Sequence, residues 1–453
     1  MLFFALLCMC PAFTSAHAFG QLYTLPLPLS YYTATAVFVL LASFIVFMFF
    51  SKPVSTPYML RAWQLPVSRY VNQSIGIVGI FIFITSIYIA FFGSADYSQN
   101  AVPGLFWAVF LLGIAYISTV IGGLWRSLNP FEGLVRSCLR IIKRSEGIIE
   151  YPRWLGYYPA LIWFFCLLWL ELLSGGYAAI PAVLGGVCVG YFCISLIGSY
   201  VFGVNAWFTY ADFFNVFFGF IGRCAPFQLR ENGLQVVAPG ENLISESPAH
   251  SSALLFILLM LSSTAFDGLQ DTQIWWNILY AYPIQMNMYT VEKLFVLASS
   301  PFLFLSFFWL MVSAMKYVAR LSQATTTLML RYAYSLIPIA IAYNVAHYFT
   351  FLVNEVQLLA AQLSDPLGRG WDLFGTVHHK VNIGLIGAET VWYIQCWAIV
   401  VGHVFATYVA HRITIKECST QRQVLLAQIP MLILMVCYTI FGLWILSQGY
   451  KNG

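Results

Sequence analysis

The chain has 453 residues, of which 60% are hydrophobic and only 8% charged, with a formal net charge of +4. A soluble domain carries about 25% charged residues, so the composition excludes a soluble enzyme and describes an all-α, polytopic transmembrane helix bundle. No basic stripe interleaved with aromatics marks a nucleic-acid surface; the partner that the composition names is the lipid bilayer.

Residues 1–18, MLFFALLCMCPAFTSAHA, read as a signal peptide. The apolar stretch Leu2 to Cys10 is too short to span and ends at Pro11 and small residues, although no Lys or Arg precedes it. Small residues at −3 and −1 allow cleavage after Ala16 or after Ala18. Residues 19–453 then form a single multipass domain. Apolar segments long enough to span as helices lie near 31–50, 74–93, 104–124, 154–174, 178–202, 251–269, 294–315, 332–353, 389–410 and 427–447, which predicts about ten spans. Segment 204–222 is also apolar but contains Asn205, Asp212 and Asn215, so it is either an eleventh span or an interfacial helix.

Charge bias selects between the two. With the N-terminus outside and 204–222 on the inner side, the outer segments hold four of the 21 Lys and Arg residues (Lys293, Arg369, Lys380, Lys451), leaving 21 − 4 = 17 inside. The positive-inside rule favours this arrangement, with both termini outside. The basic loop 125–153 has apolar residues at helical spacing and reads as an amphipathic helix on an anionic inner leaflet. Gly186 and Gly190 form a GxxxG that permits close helix packing, and Pro301 and Pro338 fall inside predicted spans. The ten cysteines show neither CxxC nor zinc-type Cys/His spacing, and none falls outside the membrane on the outer face once the signal peptide is set aside, so no disulfide framework is expected.

Ionisable residues at membrane depth are rare and mark functional sites by default. Glu171, Asp267, His347 and His403 are such residues. The predicted orientation puts Glu171 and Asp267 near the outer ends of their spans and His347 in the outer half of its own. Glu355, eight residues on, shares the helical face of His347, and Asn344 extends it. The outer loop 354–388 adds Asp365, Asp372, His378 and His379, with Glu389 opening the next span. His347, Glu355, Asp267 and Glu171 are therefore the candidate catalytic set. His347, Glu355, Asp267, His378 and His379 are candidate ligands for a divalent metal of unspecified identity, which would activate water. His17 joins them if cleavage follows Ala16, because its amine and imidazole could then chelate together. Each has a plainer reading: a satisfied polar group in the bundle, a helix cap at Asp267, an Asx-turn at Asp365, solvated loop histidines at 378 and 379. His403 sits deeper, on one face with Gln395 and Ile399; His411 and His250 lie at inner helix ends. These suit a proton path or haem ligation, or simply hydrogen bonds within the bundle. No CxxCH, GxSxG, P-loop or post-strand GxGxxG occurs.

Several segments resemble the bacterial integral-membrane fenitrothion hydrolase-like family: HAFGQLYTLPLPL (17–29), SLNPFE (127–132), WLELL (169–173), TAFDGL (264–269), the long block SLIPIAIAYNVAHYFTFLVNEVQLLAAQLSDPLGRGWDLFGT (335–376) and GHVFATYVAH (402–411). The resemblance implies a multipass enzyme of the bacterial inner membrane. It would hydrolyse apolar aryl organophosphotriesters or a related natural ester, with a related membrane subunit as partner. It carries over no catalytic residues. A membrane transporter, or a metal-handling or haem-linked redox subunit using His347 with His403, is the alternative. Polar groups at every depth would favour transport; one cluster at the outer surface would favour an enzyme.

Overall fold

The computed structural model describes residues 25–50, 64–65, 69–144, 146–230, 233–248, 250–281 and 286–448. The signal peptide, both cleavage sites and His17 lie outside them. The principal helices are α1 (Leu29–Phe50), α2 (Arg69–Phe92), α3 (Val102–Ser118), α4 (Pro130–Ile141), α5 (Tyr158–Leu173), α6 (Pro181–Phe202), α7 (Phe213–Gly222), α8 (Ser251–Gln270), α9 (Met286–Ala319), α10 (Ile337–Gln362), α11 (Ala388–Glu417) and α12 (Gln421–Ser447). All but α3, α4 and α7 belong to the nine helices, among the described residues, long and apolar enough to cross a membrane. The predicted segment 104–124 forms only the 17-residue α3, wound as π-helix over Leu105–Gly113, because the chain leaves the helix in a turn after Ser118. The all-α membrane class is as expected.

Two ends of the bundle can be told apart. At one, four short strands β1 (Gln64–Leu65), β2 (Ile121–Gly122), β3 (Phe227–Arg230) and β4 (Gly233–Val236) pair in the order β1-β4-β3-β2. The β2–β3 pair is parallel and the others antiparallel. Arg223 bonds Glu246, Arg331 bonds Glu417, and Lys416 donates to Ile244 O at 3.3 Å. The segments that the charge pattern groups as inner thus meet at this sheet end. At the far end, Gln362 donates to Tyr97 O at 2.8 Å and Trp107 to Ala178 O at 2.9 Å. The predicted grouping of loops into two sets is reproduced.

Several local expectations change. Segment 204–222 breaks at Asp212, which ends the π-turn Trp207–Ala211 and caps α7. Neither piece is long enough to cross a bilayer. Asn205 and Asn215 tie the segment to α4 and its cap at the sheet end, by bonds to Arg136 (2.8 Å) and Asn129 (3.2 Å). The apolar face of α4 does not lie on lipid: Phe131, Val135 and Leu139 are buried against the bundle. Ile141, Ile142, Ile148 and Ile149, further along the 125–153 loop, and Trp154 just after it are exposed apolar groups. Pro338 sits in the first turn of α10, where its missing N–H breaks no hydrogen bond, whereas Pro301 lies inside α9. A Cβ at Gly186 or Gly190 would touch nothing within 4 Å, so the GxxxG mediates no packing among the described residues. The eight described cysteines are free.

Helix α8 is the axis of the bundle. In its most apolar window 89% of residues are buried, against 11% for α1. Polar groups on α8 therefore face protein, not lipid, and this fixes the surroundings of Asp267.

Candidate functional site

Asp267 lies one turn from the far end of α8 and is 5% exposed. A carboxylate there costs several kcal/mol unless it is hydrogen-bonded. Two consecutive residues of α10 meet that need. Tyr348 donates its hydroxyl to Asp267 Oδ2 at 2.8 Å, and His347 Nε2 lies 2.9 Å from the same oxygen. Neighbours on a helix point about 100° apart, so the pair straddles the carboxylate, one from each side. The rings of His347 and Tyr348 stand at 88°, with centroids 4.8 Å apart.

Glu171, in the last turn of α5, lies close to Tyr348 and to the Asp267 charge. Three helices thus build an acid–tyrosine–acid–histidine chain: Glu171, Tyr348, Asp267, His347. Glu171 and Tyr348 border an internal cavity of about 60 Å³, walled by Trp107, Phe164, Met260 and Phe351 and carrying Ser263, Thr264 and Asn344. Tyr116 of α3 donates to Asn344 Oδ1 at 3.0 Å on its wall. A buried water needs roughly 10–15 Å³, so the cavity suits a short file of waters.

The expected convergence of Glu171, Asp267, His347 and Asn344 is therefore present. Other expected members stand elsewhere. Glu355, two turns beyond His347, points at α3, where a Cβ on Gly104 would lie 3.1 Å from its Oε2. His378 and His379 are exposed on the far-end loop. Asp365 there accepts the backbone N–H groups of Arg369 (2.9 Å) and Gly370 (2.7 Å), and Asp372 accepts from Ser364 Oγ (2.8 Å), so both acids organise the loop. Glu389 is exposed at the start of α11. His250 caps α8, accepting from Ser252 N at 3.2 Å. Among the described residues, no three His, Cys, Asp or Glu side chains gather as a metal would require. The proposed ligand set does not fit together, and no step is routed through a metal here.

Sequence reading missed Tyr348 and Tyr116. The signal for Tyr348 was available: it falls four residues after Asn344, on the same face, and beside His347. A search restricted to acids, histidines and basic groups passes over a phenol.

Compared with known proteins, the chain matches no family model, no curated protein and no solved structure.

Proposed function

We propose that this is a multipass protein of the bacterial inner membrane that moves protons through the Glu171–Tyr348–Asp267–His347 chain, as a proton-coupled transporter does. On this reading α3 is the tenth span, the basic sheet end faces the cytoplasm and both termini face outward. The observation that carries it is the cluster itself: Asp267 hydrogen-bonded to Tyr348 and His347, with Glu171 near both acid and phenol, buried in the bundle beside a water-sized pocket. Such intramembrane series are what proton relays require. The site lies near the far end, but it is buried, and two further buried histidines, His403 and His411, lie on α11 toward the sheet end, which supports a path over a surface cluster.

The test is proton uptake into proteoliposomes under a potassium diffusion potential. Wild-type protein should carry flux above empty vesicles, and Asp267→Asn should remove it. Equal flux in wild type, Asp267→Asn and empty vesicles sinks the reading.

The hydrogen-bonded Asp267–His347 pair favours a second reading, the hydrolase that the resemblance implies. There Asp267 orients His347, which takes a proton from water as the oxygen attacks phosphorus and nitrophenolate leaves with the bonding pair. An apolar triester would arrive from lipid, and the site would have to open to admit it. Turnover of an aryl phosphotriester that is lost in both Asp267→Asn and His347→Gln, without proton flux, would select this reading.

A further inference from the structure

The proton chain leaves His347 on the α10 side of Asp267, where Tyr343, one turn before His347, brings its ring within 6.5 Å of the imidazole. The Tyr343 hydroxyl is buried without a hydrogen-bond partner. The Tyr343 ring edge and Ile399 of α11 both border Gly442 of α12, at 3.5 and 3.6 Å from where its Cβ would be. Further along the same helix pair, His411 lies beside Gln428. Ile399 opposite Gly442 and His411 opposite Gln428 mean that α11 and α12 run antiparallel over 12 residues, about 18 Å.

Between these two levels sits His403. It is 2% exposed, as is His411, and Gln428 is 4% exposed. His403 Nδ1 lies 2.8 Å from Ile399 O. A carbonyl oxygen only accepts, so Nδ1 carries the proton and Nε2 presents a bare lone pair. That Nε2 has no partner, and the His411 ring and the Gln428 amide have none but each other. These buried atoms fall short of the near-complete satisfaction that buried polar groups show. Leaving each one dry costs about 1–3 kcal/mol. Charged groups near the sheet end include Arg412, which donates to Tyr408 OH at 3.1 Å, Lys416, on Ile244 O, and Glu417, paired with Arg331. Phe47 of α1 stacks on His411 and closes that side.

We infer that the seam between α11 and α12 is the second half of the proton path, a hydrated file linking the Asp267–His347 site to the sheet end through Tyr343, His403, His411 and Gln428. Water is the ligand that the unpaired atoms recognise. Each histidine takes a proton on a free ring nitrogen from the water above and releases it to the water below, with no other bond made or broken. Gly442 leaves the gap through which Tyr343 and His403 communicate. The inference rests on the proton-moving reading.

Two measurements test it. Deuterium exchange at imidazole C2–H, read by mass spectrometry on the full-length protein, reports water access without reference to transport. His403 and His411 should exchange at rates comparable with the exposed His378; no exchange over the same incubation means a dry seam and overturns the inference. Flux in proteoliposomes is the second. His403→Gln and His411→Gln should each slow it by about 10². Gly442→Val, which removes no polar group, should also slow it by blocking the gap, and Gly442→Ala, whose Cβ meets only ordinary contacts, checks that the helix pair tolerates a side chain there. Full flux in all these variants while Asp267→Asn is silent overturns the seam but leaves the Asp267 relay standing. Absence of flux in wild type overturns both.

Discussion

Two aspartates of this bundle are buried against a tyrosine, and they do different things. Asp212 is fully buried and accepts the Tyr191 hydroxyl at 2.5 Å. Its other oxygen accepts Asn215 N at 2.7 Å, and the Tyr191 oxygen in turn accepts Phe213 N at 2.9 Å. Both backbone groups belong to the first turn of α7, so the carboxylate and phenol together satisfy donors that a helix N-terminus leaves unpaired. Asp267 accepts the Tyr348 hydroxyl at 2.8 Å, but that bond and the one to His347 come from side chains of a second long helix, and the phenol lies near Glu171 beside a pocket. Burial and a tyrosine are common to both. What separates a structural acid from a working one is whether its partners are local backbone donors or titratable side chains from other elements.

The sharpest way to break this comparison is to remove charge from each acid without changing its shape. Asp267→Asn should lower proton flux by about 10²–10⁴, while Asp212→Asn leaves flux near wild type in the same vesicle assay. Flux loss in both would erase the distinction. The converse experiment concerns stability. Asp212→Ala removes a helix cap and strands the Tyr191 hydroxyl, so detergent-solubilised protein should lose about 2–4 kcal/mol, read as an earlier denaturant or thermal midpoint. A smaller effect is expected at the phenols. Tyr348→Phe deletes the link between Glu171 and Asp267 and should slow flux about tenfold, the scale of one hydrogen bond to a charged group, whereas Tyr191→Phe should leave flux unchanged. A silent Tyr348→Phe would show that protons bypass the phenol and reach Asp267 through water alone.

Much of this architecture was legible in the sequence. Apolar length located the nine long helices, and the Lys and Arg bias sorted the loops into the two groups that the sheet end and the far end display. Glu171, Asp267 and His347 could be singled out because charge in an apolar run is expensive. Three things were not legible. A helix-period pattern cannot reveal that Leu105–Gly113 winds as π-helix. Sharing a helix face does not bring residues to one point: Glu355 lies on the face of His347 but about 12 Å further along the axis, opposite Gly104. The unpaired atoms of His403, His411 and Gln428 depend on how α11 meets α12, and no single-helix pattern encodes that pairing.

The same contrast extends, with the smallest expected effect, to the far-end loop, where acids are bound by backbone and exposed to water. Slight desolvation pushes Asp365 up, but the backbone N–H groups of Arg369, Gly370, Trp371 and Gly368 outweigh it and leave the carboxyl below its usual range. The Ser364 hydroxyl, with Val377 N–H, does the same for Asp372. A carboxyl whose value is lower in the folded chain than in the unfolded one contributes stability above the unfolded value, about 4, and loses it as pH falls through the lower folded value. Neutral and mildly acidic conditions should therefore leave the loop ordered, and acidification below about pH 4 should loosen it. Amide exchange at Arg369, Gly370 and Val377 should then quicken while the α8–α10 contact stays protected. At neutral pH, Asp365→Asn should quicken exchange at Arg369 and Gly370 alone and leave proton flux untouched. If that substitution instead reduced flux, the loop acids would belong to the proton path, and the division between backbone-bound and side-chain-bound acids would fail at the one place where both kinds lie at the same end of the molecule.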